Sequence, residues 1–146
     1  MKVLVAVDDS KFATAALDAV TGMAWPRDAR FIVVTAVHAP FGAYAEPYVP
    51  MAIDTGPWIE ELNRLHRGVA ERAVAKLTAA GLRAEPRVGQ GDPRSLVLDE
   101  ARKEHADLIV VGSHGRTGLE KLVLGSVASH IVTHAPCSVL VVRRPA

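Results

Sequence analysis

One cysteine stands in the whole chain, Cys137, so no internal disulfide can form. A lone thiol fits a reducing compartment and excludes the disulfide-stapled class of small secreted domain. Hydrophobic residues make up 49% of the chain, yet no apolar run approaches the ~20 residues of a membrane-spanning helix. Neither sign of charge is in excess: 17 Lys and Arg stand against 16 Asp and Glu, a net charge of +1. That balance implies no basic face, and nucleic acid is not expected as a partner. The opening run Met1 to Val7 looks briefly like a secretory leader. Asp8 and Asp9 cut it short before it reaches the roughly 7–15 apolar residues that a leader requires. The expectation is a buried strand in a cytoplasmic protein without a membrane anchor.

Several catalytic signatures are missing as well. No stretch matches the phosphate loop Gly-x-x-x-x-Gly-Lys-Ser/Thr. Gly89-Gln90-Gly91 lacks the third glycine of a dinucleotide fingerprint, because Arg94 stands there. His130 and His134 are four apart, but Ile131 follows His130, so the zinc-protease pattern His-Glu-x-x-His is absent. They read as solvated or helix-end histidines. Ser10, Ser113 and Ser126 sit in no Gly-x-Ser-x-Gly elbow, which leaves nucleophilic catalysis without support. Cys137, beside a strand start, reads as a small core residue. There is no solenoid repeat and no low-complexity tail.

What the chain does have is alternation. Its 146 residues fit one domain, 1–146, large enough to bury a core without metal or disulfide staples. Val3 to Val7 is apolar on both faces, as in strands of a parallel sheet. A helix follows with Asp9 or Ser10 as its cap. Its apolar positions are Phe12, Ala16, Ala19, Val20 and Met23, and Pro26 stops it. Phe31 to Val37 is a second strand. Residues 39–57 carry four prolines and two glycines and show neither period. A loop of that length reads equally as a lid or binding loop and as a surface insertion.

Ile59, Leu62, Leu65, Val69, Ala73 and Leu77 step by three or four, the face of a long helix ended by Gly81. Leu82 to Val88 is a third strand, and Pro86 within it predicts a sheet edge, since proline cannot donate to the ladder. Asp92-Pro93 reads as a cap followed by proline in the first helical position. That helix runs through Leu96, Val97 and Ala101 to about Glu104. Leu108 to Val111 is a fourth strand, Leu119 to His134 a fourth helix, and Val139 to Val142 a fifth strand. The order βαβαβαβαβ predicts an α/β fold, a parallel sheet with helices on both faces.

Ligands of open α/β sheets bind beyond the carboxyl ends of the strands, where chain order reverses. Three such ends are distinctive: Asp8-Asp9-Ser10, His38 with its long loop, and Gly112-Ser113-His114-Gly115-Arg116-Thr117-Gly118. Closely spaced glycines let backbone N–H groups approach phosphate oxygens. Arg116 adds charge, and the hydroxyls of Ser113, Thr117 and Ser126 add donors. A four-residue Gly-x-x-Gly alone would be an ordinary strand-to-helix turn. Here it extends to Gly112-x2-Gly115-x9-Gly125-Ser126.

That full spacing resembles the ATP-binding branch of the universal stress protein family. The resemblance covers nearly the whole chain. Val5-Ala6-Val7-Asp8-Asp9-Ser10 is similar to the family's Val-Asp-Gly-Ser opening, with Asp9 in place of the glycine. Gly91-Asp92-Pro93 and Pro136-Cys137-Ser138-Val139-Leu140-Val141-Val142 also resemble family segments. The resemblance implies a five-stranded sheet in the order 3-2-1-4-5, the adenine nucleotide alpha hydrolase-like arrangement. It places Ala6, Val7 and Asp8 at the adenosine, and Val37 against the adenine. Gly112, Ser113, His114, Gly115 and Arg116 then wrap the phosphates, and Gly125, Ser126 and Val127 complete the cradle.

The resemblance further implies ATP as ligand, with Mg2+ or Mn2+ held by its phosphates rather than by protein side chains. It implies a homodimer through the strand Val139 to Val142. The functional expectation is a nucleotide-dependent stress-response or signalling module in the cytoplasm, not an enzyme. The alternative is a slow ATPase or phosphotransferase using the same site. Phosphoryl transfer needs a positioned nucleophile and charge stabilisation, and Asp8 is the only candidate base.

Overall fold

A computed structural model describes residues 1–38, 56–115 and 124–144. The nine elements in chain order are β1 (Lys2–Ala6), α1 (Lys11–Gly22), β2 (Arg30–Val37), α2 (Gly56–Ala79), β3 (Arg83–Gln90), α3 (Pro93–Glu104), β4 (Leu108–Gly112), α4 (Ser126–His134) and β5 (Ser138–Val142). Residues 39–55 of the expected loop, Arg116, and the helix start expected at Leu119 lie outside the described residues.

The continuous apolar run of β1 is explained by its place. It pairs in parallel with β2 on one side and β4 on the other. Val3, Leu4 and Val5 are fully buried because each face of this central strand meets a different core. Val3 and Val5 pack with Ala16, Val20, Ala73 and Leu77 of α1 and α2. Leu4 packs with Val97, Ala101 and Ile131 of α3 and α4. Burying such side chains contributes about 1.5–3 kcal/mol each. The sheet is wholly parallel, in the order β3-β2-β1-β4-β5, with helices on both faces.

Helix boundaries follow local chemistry. Ser10, not Asp9, caps α1: its hydroxyl accepts the Ala13 N–H at 3.1 Å. Asp92 caps α3 by accepting the Arg94 N–H at 2.8 Å, with Pro93 next in line. At the end of α2, Gly81 has φ +81°. Its N–H donates to the Thr78 carbonyl and that of Leu82 to the Leu77 carbonyl, the paired bonds of a Schellman stop. Pro86 lies on the outer strand β3, which pairs only with β2.

Two expectations need correction. Helix α4 begins at Ser126, with Gly125 as its cap residue and Leu124 outside it. The glycine at 125 favours a start there, since Gly is poor inside a helix. The buried stripe of α2 is His66, Ala70, Ala73 and Leu77. Ile59 and Leu65 are 37% and 53% exposed. A helix of 24 residues is ~36 Å long, longer than the eight-residue strand at ~26 Å. The difference of ~10 Å corresponds to about two turns at 1.5 Å per residue, so the first two turns of α2 run past the length of the strand.

Candidate functional site

The chain runs from β1 outward through β2 to β3, then returns to place β4 against the other side of β1. The reversal lies between β1 and β4, where a crevice opens at the carboxyl edge. A cleft of about 810 Å³ occupies that place, within the ~300–1,000 Å³ typical of small-molecule sites. Ala6, Val7 and Asp8 line it from β1, Gly112, His114 and Gly115 from the β4 turn, and Ser126 and Val127 from α4. These are eight of the expected site residues, and the fold brings them together with Gly125 in one cleft.

Asp8 sits where β1 ends. Its Oδ1 accepts the Ser10 N–H at 3.0 Å, which locks the carboxylate against the start of α1. Across the crevice, a β-carbon on Gly115 would stand 3.0 Å from Asp8 Oδ2. Gly112, besides lining the cleft, also serves the packing of the fold. A β-carbon there would meet the Phe12 carbonyl oxygen at 2.7 Å, so this glycine lets α1 pack onto β4.

Ser113 is 2% exposed and is not among the residues that line the cleft. Its N–H donates to the Val142 carbonyl and its own carbonyl accepts the Gly125 N–H, both at 2.8 Å. Ser113 thereby ties β4, β5 and the start of α4 together. Its Oγ lies 3.1 Å from His114 Nδ1, and the His114 ring tilts over Phe12 at 5.1 Å. Gly125 is equally confined: a β-carbon on it would meet the His114 Cα at 3.1 Å.

Helix α4 starts without a side-chain cap, because its cap residue is Gly125. The first N–H groups of a helix have no intrahelical acceptor and carry the positive end of its dipole. Those of α4 begin at Ser126, on the cleft. Such an end is an anion site in waiting.

Val37 is buried but does not line the cleft. Side chains alternate along a strand, and on β2 it is Val34 and Ala36, followed by His38, that line it. The Val37 carbonyl accepts the Gly91 N–H instead, fastening the turn after β3.

The cleft also recruits residues the sequence had not marked as ligand-facing. Asp92 and Arg94 line it at the start of α3, and Trp58, Leu62 and His66 line it from the first half of α2. Arg94 Nε donates to both Asp92 oxygens at 3.0 Å. Those bonds hold the Asp92 carboxyl below its ordinary range, against a smaller opposing effect of burial, and raise the Arg94 guanidinium. His66 is 4% exposed, and its Nδ1–H donates to the Leu62 carbonyl at 2.8 Å. A signal for His66 existed: it falls in step with Leu62, Ala70, Ala73 and Leu77. For Asp92 the signal was its place just past a strand's carboxyl end.

Among the described residues no group of three or more His, Cys, Asp or Glu side chains could hold a metal ion. No helix among them is long and apolar enough to cross a membrane.

The universal stress protein family model matches residues 1–143. A universal stress protein of Methanocaldococcus jannaschii is 36% identical over 112 residues, 75% of this chain and 65% of that one, so the match spans just under two thirds of that relative. A putative universal stress protein of Staphylococcus aureus is 34% identical over 143 residues, 97% of this chain and 82% of that one. Among solved structures, universal stress protein UspA from Lactobacillus plantarum superimposes with a TM-score of 0.77 at 28% identity, covering 98% of this chain and 97% of that one. A universal stress protein family protein from Arabidopsis thaliana, solved with AMP bound, shares the fold at a TM-score of 0.73 and 23% identity, covering 100% and 93%.

Proposed function

The chain belongs to the universal stress protein family, and we propose that it is an ATP-binding, nucleotide-dependent stress-response or signalling module of the cytoplasm. The observation that carries this reading is the start of α4. It has no side-chain cap, it opens into the cleft, and it lies beside the Gly115 backbone. Phosphate oxygens would be received there by backbone N–H groups. Ala6, Val34, Ala36 and Val97 give the cleft an apolar wall for a base and ribose. The Arabidopsis protein of this fold holds AMP, which supports an adenine nucleotide at the level of fold alone.

The donor set fits a polyphosphate better than a bare metal ion. With no three-residue metal cluster among the described residues, Mg2+ or Mn2+ would be anchored by the phosphates it neutralises. The residues of this chain bind and orient. Asp8, the base the sequence suggested, is committed through Oδ1 to the Ser10 N–H, and the module is proposed to bind rather than to hydrolyse. A homodimer through Val139 to Val142 would carry the nucleotide state to a partner.

The reading is tested by mass spectrometry of ligand released from the purified, denatured protein, paired with thermal unfolding in ATP, ADP, AMP and cAMP. A ligand that binds only the folded state stabilises it by about 2.7 kcal/mol at a hundredfold its Kd. Stabilisation by ATP is expected. No stabilisation by any adenine nucleotide overturns the proposal.

A further inference from the structure

His130 and His134 have no place in the cleft. They lie one turn apart in the second half of α4, outside the α3–α4 core cluster. Their rings stack with centroids 4.2 Å apart and an angle of 27° between the planes. The His134 Nδ1–H donates to the His130 carbonyl at 2.9 Å.

From this geometry we propose that His130 and His134 form a surface chelate for a borderline divalent cation of the Zn2+, Ni2+ and Cu2+ class. The hydrogen bond on Nδ1 decides the tautomer of His134. In the neutral ring with its proton on Nδ1, Nε2 carries the lone pair. Imidazoles that ligate metals are characteristically held in this way, one nitrogen donating to a carbonyl and the other facing the ion.

Two Zn–N bonds of ~2.0–2.1 Å at a tetrahedral angle hold the nitrogens roughly 3.3 Å apart. The rings stand with centroids 4.2 Å apart and planes at 27°, which leaves their in-plane lone pairs nearly parallel, so chelation turns the rings out of the stack until both lone pairs meet one ion. Neutral imidazole suits Zn2+, Ni2+ and Cu2+, and not Mg2+ or Ca2+, which prefer oxygen. Water completes the coordination sphere.

Position on the helix favours a cation too. His134 is the last residue of α4, where the dipole is negative. Holding both rings on one face turns the second Zn–N bond into an intramolecular step, which raises affinity over a single ring by about 10²–10⁴. The site is separate from the α4 start that the nucleotide reading uses, so the two stand or fall independently.

The test is calorimetric titration of the tag-free full chain with Zn2+ at pH 7.5. His130→Ala, His134→Ala and Cys137→Ser are titrated alongside, each first shown by circular dichroism to unfold at the wild-type temperature. One Zn2+ per chain is expected at pH 7.5. Either histidine variant should bind at least about a hundredfold more weakly, and Cys137→Ser should bind as wild type. Equal affinity in wild type and both histidine variants would show adventitious binding only and overturn the proposal. So would loss of the site in Cys137→Ser.

Discussion

Asp8 and Gly115 face each other across the switch point so closely that a β-carbon on Gly115 would stand 3.0 Å from the Asp8 Oδ2. Asp8 cannot easily yield, because its Oδ1 is bonded to the Ser10 N–H at 3.0 Å. Gly115→Ala should therefore narrow the crevice and crowd Asp8. Most of the ATP-induced rise in Tm should disappear. Ser126→Asp makes the complementary case. A carboxylate in the first turn of α4 favours the helix by about 0.3–1 kcal/mol but repels phosphate. Its unliganded Tm should hold or rise while the ATP response vanishes. A full ATP response in both variants contradicts the phosphate assignment.

Gly112→Ala should behave in the opposite manner. Its new methyl meets the Phe12 carbonyl oxygen at 2.7 Å, a backbone atom inside α1 that no rotamer change can move. Overpacking of this kind costs about 1–3 kcal/mol. Chemical denaturation without nucleotide should show the loss directly. A variant as stable as wild type would mean that α1 and β4 are less tightly joined than their geometry shows.

Hydrolysis should be negligible. The Asp8 carboxylate is held by backbone, and no Walker lysine is present in the chain. Multiple-turnover assays with Mg2+ and ATP are expected to stay far below ~1 per second, the low end of ordinary enzyme rates. A rate at or above that level, lost in Asp8→Asn, would move the chain to the enzyme class.

The two sheet edges differ in a way that bears on assembly. On β3, Arg83, Glu85, Pro86 and Arg87 guard the edge. On β5, Val139-Leu140-Val141-Val142 pairs, among the described residues, with β4 alone, and all four are half-buried. Val139 and Val141 lean on the α3–α4 core, Leu140 and Val142 on the α1–α2 core. An apolar edge without charge or proline through its centre is a template for another strand. The simplest occupant is the same strand of a second copy, antiparallel across a two-fold axis. Light scattering at about 50 µM, well above a micromolar Kd, should give the dimer mass for wild type and the monomer mass for Val141→Pro, which removes a donor. A wild-type monomer mass would refute the pairing.

Acid should loosen the contact between β3 and α3. Glu104 accepts from Lys2 Nζ at 3.4 Å and Arg87 Nη2 at 3.2 Å. Partial burial pushes its carboxyl upward, but these two bonds prevail and hold it below the ordinary range. A depressed folded pKa means that the contribution is complete above the unfolded value of about 4.3 and is lost as pH falls through the lower folded value. Arg87→Met should flatten the stability profile below about pH 4, seen as a smaller drop in Tm between neutral and acid conditions. An unchanged slope would assign the acid response to other groups.

Most of the architecture was legible in the residues because each strand and cap is decided locally. The unbroken run Val3 to Val5 needs apolar surroundings on both faces. Pro86 can sit only where no donor is wanted, and Asp92-Pro93 can only begin a helix. Gly112, Gly115 and Gly125 of the glycine spacing do line one cleft. Tertiary packing decided what each glycine and side chain does there. Gly112 admits α1, Ser113 ties three elements together, and Val37 faces away because strand side chains alternate and one residue's offset reverses the face. The stripe of α2 likewise turned on length: periodicity shows that a helix has an apolar side, but only the sheet beneath it determines which turns are covered. His66, Asp92 and Arg94 reached the cleft for the same reason. They are far apart in the chain, and it is the first half of α2 and the turn after β3 that bring them to one edge.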